Sequence, residues 1–176
     1  MSHGVAPSPG WTAASLVPLL TALAAAVLDL VPLPDAAPRA PAPSLLVGVC
    51  CYWLVCRPDL LPPALLFALG TMLDLAGGMP PGATALGLLL ARAPLGSWRR
   101  FLLHQGPVLV WLAFGPVLLL VGLVRWAALS LLAGGALPVE PVAAEAGLTF
   151  ALCPVLAWLL GPLQRRLPVP HHAARG

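Results

Sequence analysis

The sequence contains no lysine and little charge of either sign. Only 9% of its 176 residues are charged, whereas 60% are hydrophobic, and arginine supplies all nine basic residues against six acids. So few charges cannot cover the surface of a soluble globule of this length. We therefore expect an integral membrane protein, and nucleic acid is not an expected partner.

Long polar segments are also missing. The longest is the C-terminal tail that begins at Gln164, so no aqueous domain is left over. We expect a single transmembrane domain at 11–163, between a short cytoplasmic N-terminus at 1–10 and an Arg-rich cytoplasmic tail at 164–176. Because the N-terminus lacks the basic region of a signal peptide, we expect the first apolar segment to be retained as an anchor.

Patterns of catalysis and metal binding are lacking as well. The chain has no Ser-His-Asp set with suitable spacing, no glycine-rich phosphate loop and no metal motif. Cys50, Cys51 and Cys56 share one apolar segment without the spacing of a zinc site, so we interpret them as packing residues. The sequence thus predicts a protein that is not an enzyme and that uses neither a cofactor nor a metal.

Six apolar segments are suited to cross a bilayer. A helix of about 20 apolar residues spans the hydrocarbon, and these runs of Leu, Ala and Val lack the alternation of a membrane barrel. The predicted fold class is all-α, a polytopic membrane bundle of about six transmembrane helices. The predicted spans are 11–31, 44–56, 60–76, 82–93, 101–131 and 141–163. The second and fourth are short, and Pro107 and Pro116 predict kinks in the fifth.

The arginines predict an orientation for these spans. If the N-terminus is cytoplasmic, seven of the nine arginines fall in inner loops or in the tail, and only Arg39 and Arg125 lie outside or near the outer edge. Cytoplasmic loops of membrane proteins carry the excess of positive charge. We therefore predict six spans with both termini in the cytoplasm.

Asp74 is the first candidate for a functional residue inside the spans. A carboxylate in hydrocarbon must be hydrated, paired or protonated. Gly70 precedes Asp74 by one helical turn, and Gly77 and Gly78 follow it, so the acid lies on a stripe of small residues. Such a stripe lets a second helix approach closely, and we expect Asp74 to face protein.

Asp29 and Arg125 are the other intramembrane candidates. Both are predicted near the outer ends of their helices, at a depth similar to that of Asp74. One hypothesis is that Arg125 pairs with Asp74 or Asp29; the other is that each side chain reaches water separately at the outer face. Glu140 and Glu145 are interpreted as residues that favour the start of the sixth helix, where negative charge is stabilised.

A motif surrounds Asp74 and extends beyond it. Tyr52-Trp53-x3-Arg57-Pro58 closes the second span, and Gly70-x3-Asp74-Leu75-x-Gly77-Gly78-x-Pro80-x-Gly82-x2-Ala85-Leu86 follows. Together with Pro32-x-Pro34-Asp35 after the first span and the arginines after the sixth, this pattern resembles the bacterial rod shape-determining membrane protein family MreD, over roughly Pro32 to Arg166. The positions that carry the resemblance are Trp53, Arg57, Pro58, Gly70, Asp74, Gly78, Pro80 and Gly82.

The resemblance implies a non-catalytic component of the cell-elongation (rod) complex in the bacterial inner membrane, which helps to maintain cell shape and to direct lateral peptidoglycan synthesis. The main implied partner is MreC, with MreB, RodA and a class B penicillin-binding transpeptidase as further members of the complex and membrane lipid around it. The family is also similar in fold to the substrate-binding S components of energy-coupling-factor transporters. A second hypothesis therefore stays open, namely a substrate-binding subunit of a small-molecule, vitamin-type transporter.

Overall fold

A computed structural model describes residues 13–31, 42–104 and 107–166 of the chain. The predicted N-terminus at 1–10, the turn at 32–35, Arg39 and the tail beyond 166 lie outside the described residues. Six α-helices occur, with a short 3₁₀ helix at Pro58–Leu60 between the second and third: α1 Ala13–Asp29, α2 Leu45–Cys56, α3 Pro63–Ala76, α4 Ala83–His104, α5 Pro107–Ala133 and α6 Glu140–Arg165. These residues contain no strand, so the prediction of an all-α fold is confirmed.

α4 and α5 differ most from the predicted spans. The predicted fourth span ended near residue 93, but α4 continues as one helix to His104, and α5 begins at Pro107. The arginines and leucines between these points are good helix formers, so local propensity favours continuation. Pro107 is the first described residue of α5, a position where a missing N–H costs no hydrogen bond. The kink predicted there stays a prediction, because residues 105 and 106 lie outside the described residues.

α2 is the centre of the bundle. Residues 46–55 are all buried, and the helix packs against α1, α4 and α6. Its sequence LLVGVCCYWLVC is apolar on every face, which is the pattern of a helix surrounded by other elements. The 12 residues of α2 extend only about 18 Å. Because neighbouring helices enclose it, this short helix needs no match to the thickness of a bilayer.

Glycines permit the close crossings of the helices. A Cβ atom placed on Gly70 in α3 would lie 2.5 Å from the Cα atom of Ala85 in α4, so the two backbones touch there. Gly87 in α4 meets the side chain of Val121 in α5 in the same way, with 2.9 Å between the added Cβ and Cγ1. The predicted close approach at the small-residue stripe is thereby confirmed.

Large apolar side chains cover the outside of the bundle. Leu20 in α1 is 60% exposed, Leu131 in α5 is 83% exposed and Trp158 in α6 is 79% exposed. Extensive apolar surface of this kind marks contact with a membrane or with a partner. Among the described residues, two helices are long and apolar enough to cross a membrane, at Val108–Ala133 and Glu140–Arg165, and α1, α2 and α3 contribute shorter apolar helices.

Candidate functional site

A cavity of about 320 Å³ opens at one end of the bundle. The C-terminal parts of α1, α3 and α5 and the first turns of α2, α4 and α6 meet there. Asp29, Asp74 and Arg125 all line this cavity, together with Glu145. The structure thus brings the three predicted intramembrane residues together and adds a fourth charged one. We call this group of four the polar end of the bundle.

Asp74 holds the start of α4. Its side chain is only 1% exposed, and its Oδ2 accepts hydrogen bonds from the backbone N–H groups of Gly82 and Thr84, both at 3.0 Å. The first N–H groups of a helix have no partner within the helix, and a carboxylate at that place also interacts favourably with the helix dipole. Asp74 therefore caps the next helix from across the hairpin.

The turn between α3 and α4 makes this capping possible. The chain leaves α3 through Gly78, whose φ is 67°, and the N–H of Met79 donates to the carbonyl oxygen of Asp74 at 2.8 Å. This is the glycine-terminated helix end in which a left-handed residue reverses the chain. Pro80 and then Gly82, whose φ is 95°, complete the return. The glycines and the proline of the motif thus bring the first N–H groups of α4 back to Asp74.

Asp29 performs the same task for α2. Its Oδ1 accepts the N–H of Leu45 at 2.8 Å, and its Oδ2 accepts the N–H of Leu46 at 3.0 Å and the hydroxyl of Ser44 at 3.4 Å. The N–H of Ser44 in turn donates to Oγ1 of Thr149 in α6 at 2.9 Å. The start of α2 is therefore fixed by side chains from both α1 and α6.

Arg125 pairs with Glu145, not with Asp74 or Asp29. The guanidinium Nη1 of Arg125 in α5 donates to Oε1 of Glu145 in α6, and the two side chains are 14% and 27% exposed. The predicted pairing is wrong, because both aspartates are bound by helix N–H groups and α6 packs directly beside α5. The interpretation of Glu145 as a residue that favours the helix start is corrected as well, whereas Glu140 is the first residue of α6.

A signal for the Arg125–Glu145 pair was available in the sequence. Arg125 lies eight residues before the end of α5, and Glu145 lies five residues after the start of α6. Because successive residues of a helix rise by about 1.5 Å, residues at similar distances from the same hairpin turn lie at similar depth. Counting from the turn, not from the membrane surface, identifies the pair.

The other motif residues lie in the core and at the opposite end. Trp53 is fully buried in α2, and its Nε1 donates to Oγ1 of Thr21 at 3.0 Å. Arg57 follows α2, with its backbone N–H bonded to the carbonyl oxygen of Trp53 at 2.7 Å, and Pro58 begins the 3₁₀ helix. At this end, Nη1 of Arg92 also donates to the carbonyl oxygen of Leu61 at 2.6 Å. Arginines therefore gather at the end remote from the cavity.

Comparison with protein-family models, with curated proteins and with solved structures finds no match for this chain. Within the described residues, no group of three or more His, Cys, Asp or Glu side chains is arranged to hold a metal ion. The polar end can hold helix termini in place, and it leaves an open volume bordered by charged groups.

Proposed function

We propose that the protein is a non-catalytic, multi-pass component of the rod complex in the bacterial inner membrane, where it scaffolds MreC and the wall synthases. The segment from Gly70 to Leu86 is the observation that carries this proposal. Three of the residues that carry the resemblance, Asp74, Gly78 and Gly82, together form the connection between α3 and α4. The two glycines turn the chain, and Asp74 binds the N–H groups at the start of α4. Because these residues depend on one another to form the connection, there is a physical reason for them to occur together in the sequence.

Two features support placement in a membrane with six crossings. The outside of the bundle is apolar, and α5 and α6 are long enough to span. The two ends differ in charge: one carries Asp29, Asp74 and Glu145 with a single arginine, Arg125, and the other carries Arg57 and Arg92 with a single aspartate, Asp59. Since positive charge is retained in the cytoplasm, we propose that the arginine end and both termini face inward.

Partners in this proposal bind to the sides of helices. The described residues form one bundle without an aqueous domain, so a scaffold of this kind offers its exposed apolar faces to the membrane segments of other proteins. We propose MreC as the main partner, with RodA and a class B penicillin-binding transpeptidase in the membrane and MreB at the inner surface.

Depletion in a rod-shaped host tests the proposal. We expect rounded cells, restoration of rods by a plasmid copy of the gene, and capture of MreC with the tagged protein from detergent extracts. Normal rods with normal lateral wall synthesis after complete loss, in a genome with no second copy, contradict the proposal.

A substrate-binding subunit of a vitamin-type transporter is the second candidate, and the cavity of about 320 Å³ favours it. Ligand sites commonly enclose about 300–1,000 Å³. The gene neighbourhood separates the two candidates. An adjoining gene for MreC favours the scaffold, whereas adjoining genes for transporter ATPases, with nanomolar binding of a vitamin by the purified protein, favour the transporter subunit.

A further inference from the structure

We propose that the tip of the α5–α6 hairpin, residues 126–139, is a docking surface for an apolar patch on the extracytoplasmic part of a membrane-anchored partner protein. The inference rests on the membrane placement and orientation in the proposed function, and it deepens that function by naming a surface that the partner binds. This surface lies outside the bilayer, in addition to the helix sides that face membrane segments.

The tip projects beyond the rest of the bundle. α1 ends at Asp29 and α3 ends two residues after Asp74, and the same two carboxylates bind the first N–H groups of α2 and α4. These four helices therefore stop at the polar end. α5 continues for eight residues beyond Arg125, to Ala133, which is about 12 Å of helix.

The hydrocarbon of the membrane does not reach the tip. The turn between α3 and α4 lies at the level of Asp74, and Gly77, Gly78 and Pro81 are exposed in it. Irregular backbone that faces lipid does not occur within the hydrocarbon, so the hydrocarbon ends at this turn or closer to the centre of the bilayer. The headgroup layer adds about 5–8 Å on each side. The end of α5 lies farther out than that.

The tip is nevertheless apolar. Every residue from 131 to 141 is exposed, and Leu131 and Leu132 are 83% and 73% exposed. No charged residue occurs between Trp126 and Val139. An apolar patch that lies outside the bilayer marks a site of protein interaction. Because the tip has no charge to pair with a charge on the partner, the complementary surface is apolar as well.

Hydrogen bonds hold the tip in one shape. α5 ends at Gly134, whose φ is 68°, and the chain then returns along the helix. The carbonyl oxygen of Leu137 accepts Nε1 of Trp126 at 3.0 Å, and the N–H of Leu137 donates to Oγ of Ser130 at 3.3 Å. An open groove of about 470 Å³ lies at this turn, lined by Trp126, Ala127, Ser130, Leu131 and residues 134–136. A preformed groove loses little conformational freedom when a partner side chain enters it.

The first arm of the test measures what covers the tip. Leu131→Cys is placed in a Cys56→Ser background, because the other native cysteines are buried, and is labelled with a membrane-impermeant maleimide. We expect rapid labelling in nanodiscs made from lipids of the host, and about tenfold slower labelling in right-side-out membrane vesicles of the host, where the partner is present. Leu123→Cys, at a position 48% exposed and within the hydrocarbon, is the control and should stay unlabelled in both.

The second arm measures capture of MreC, the partner in the proposed function. Replacing Leu131 and Leu132 together by alanine should weaken capture by about tenfold or more, because two large apolar contacts are lost. The same change at Leu119 and Leu123, which are 47% and 48% exposed in the lipid-facing part of α5, should leave capture unchanged. All four leucines are exposed and alanine is a good helix former, so both variants should keep the melting temperature of the wild type.

The outcomes separate this inference from the proposed function. Protection of Leu131→Cys in nanodiscs overturns the inference, because lipid then covers the tip, and equal labelling in nanodiscs and vesicles overturns it too, because nothing covers the tip. If the wild type captures MreC and the alanine change at Leu131 and Leu132 weakens capture no more than the change at Leu119 and Leu123, the proposed function stands and the docking surface is refuted. If the wild type does not capture MreC, the proposed function fails, and labelling in vesicles decides the inference alone.

Discussion

The carboxylate of Asp74 accepts the backbone N–H of Thr84, at 3.2 Å from Oδ1 and 3.0 Å from Oδ2, and so ties the end of α3 to the start of α4. Asp29 makes the equivalent contact with the N–H groups of Leu45 and Leu46 at the start of α2. The α1–α2 and α3–α4 pairs thus use the same device. In each, an acid near the end of one helix satisfies the unpaired donors of the next.

Replacement of Asp74 by alanine should destabilise the protein by about 1–3 kcal/mol, because the buried N–H groups of Gly82 and Thr84 lose their acceptor. Asp74→Asn should cost less, since one amide oxygen can still accept. The measurement is thermal unfolding in detergent. Asp59→Ala is the control, because Asp59 is exposed in the 3₁₀ helix and should change the melting temperature little. Equal effects of Asp74→Ala and Asp59→Ala would contradict the capping role.

Arg125 and Glu145 should show energetic coupling in a double-mutant cycle. Arg125→Ala and Glu145→Ala each leave a partly buried charge unpaired, so the double variant should lose less stability than the sum of the two, by about 0.5–3 kcal/mol. A second cycle with Asp74→Ala in place of Glu145→Ala should give a smaller coupling. A larger coupling of Arg125 to Asp74 than to Glu145 would show that the ion pair is assigned to the wrong carboxylate.

Gly70→Ala should force α3 and α4 apart. The new Cβ would lie 2.5 Å from the Cα of Ala85, and backbone cannot move aside as a flexible side chain can. Overpacking of this kind costs about 1–3 kcal/mol. Gly96→Ala in α4 is the matched control, since its Cβ would meet nothing within 4 Å and alanine is the better helix former by about 1 kcal/mol. We expect a lower melting temperature for the first variant and an unchanged or higher one for the second.

Reporter fusions test the proposed topology. Fusions after Ala36, Gly78 and Pro138 should report the periplasm, and those after Arg57 and Arg175 the cytoplasm. The remaining cytoplasmic fusion belongs after Gln105, between α4 and α5, because Ser97 lies within α4. A periplasmic signal after Arg175 refutes six crossings with both termini inside.

Most helix positions could be predicted from the sequence, because hydropathy and proline act locally. The segment from Ser44 to Cys56 was expected to be a short helix, and α2 spans Leu45–Cys56. The end of α4 could not be predicted in this way. The charge of Arg99 and Arg100 predicts a loop, but arginine is also a good helix former, and hydropathy does not distinguish a polar helix from a polar loop.

The sequence by itself determined the all-helical class, the contact at Gly70 and the burial of Asp74, since composition and the helical period place small residues and an acid on one face. Only the tertiary structure decided the partners of the two aspartates. The carboxylates of Asp29 and Asp74 accept backbone N–H groups. Every residue except proline carries such a group, so the sequence does not show which of them will lie beside a given carboxylate. Arg125 binds Glu145 because α5 and α6 lie side by side. Parts of all six helices meet at this end of the bundle, and the cavity between them is lined by Asp29, Asp74, Arg125 and Glu145.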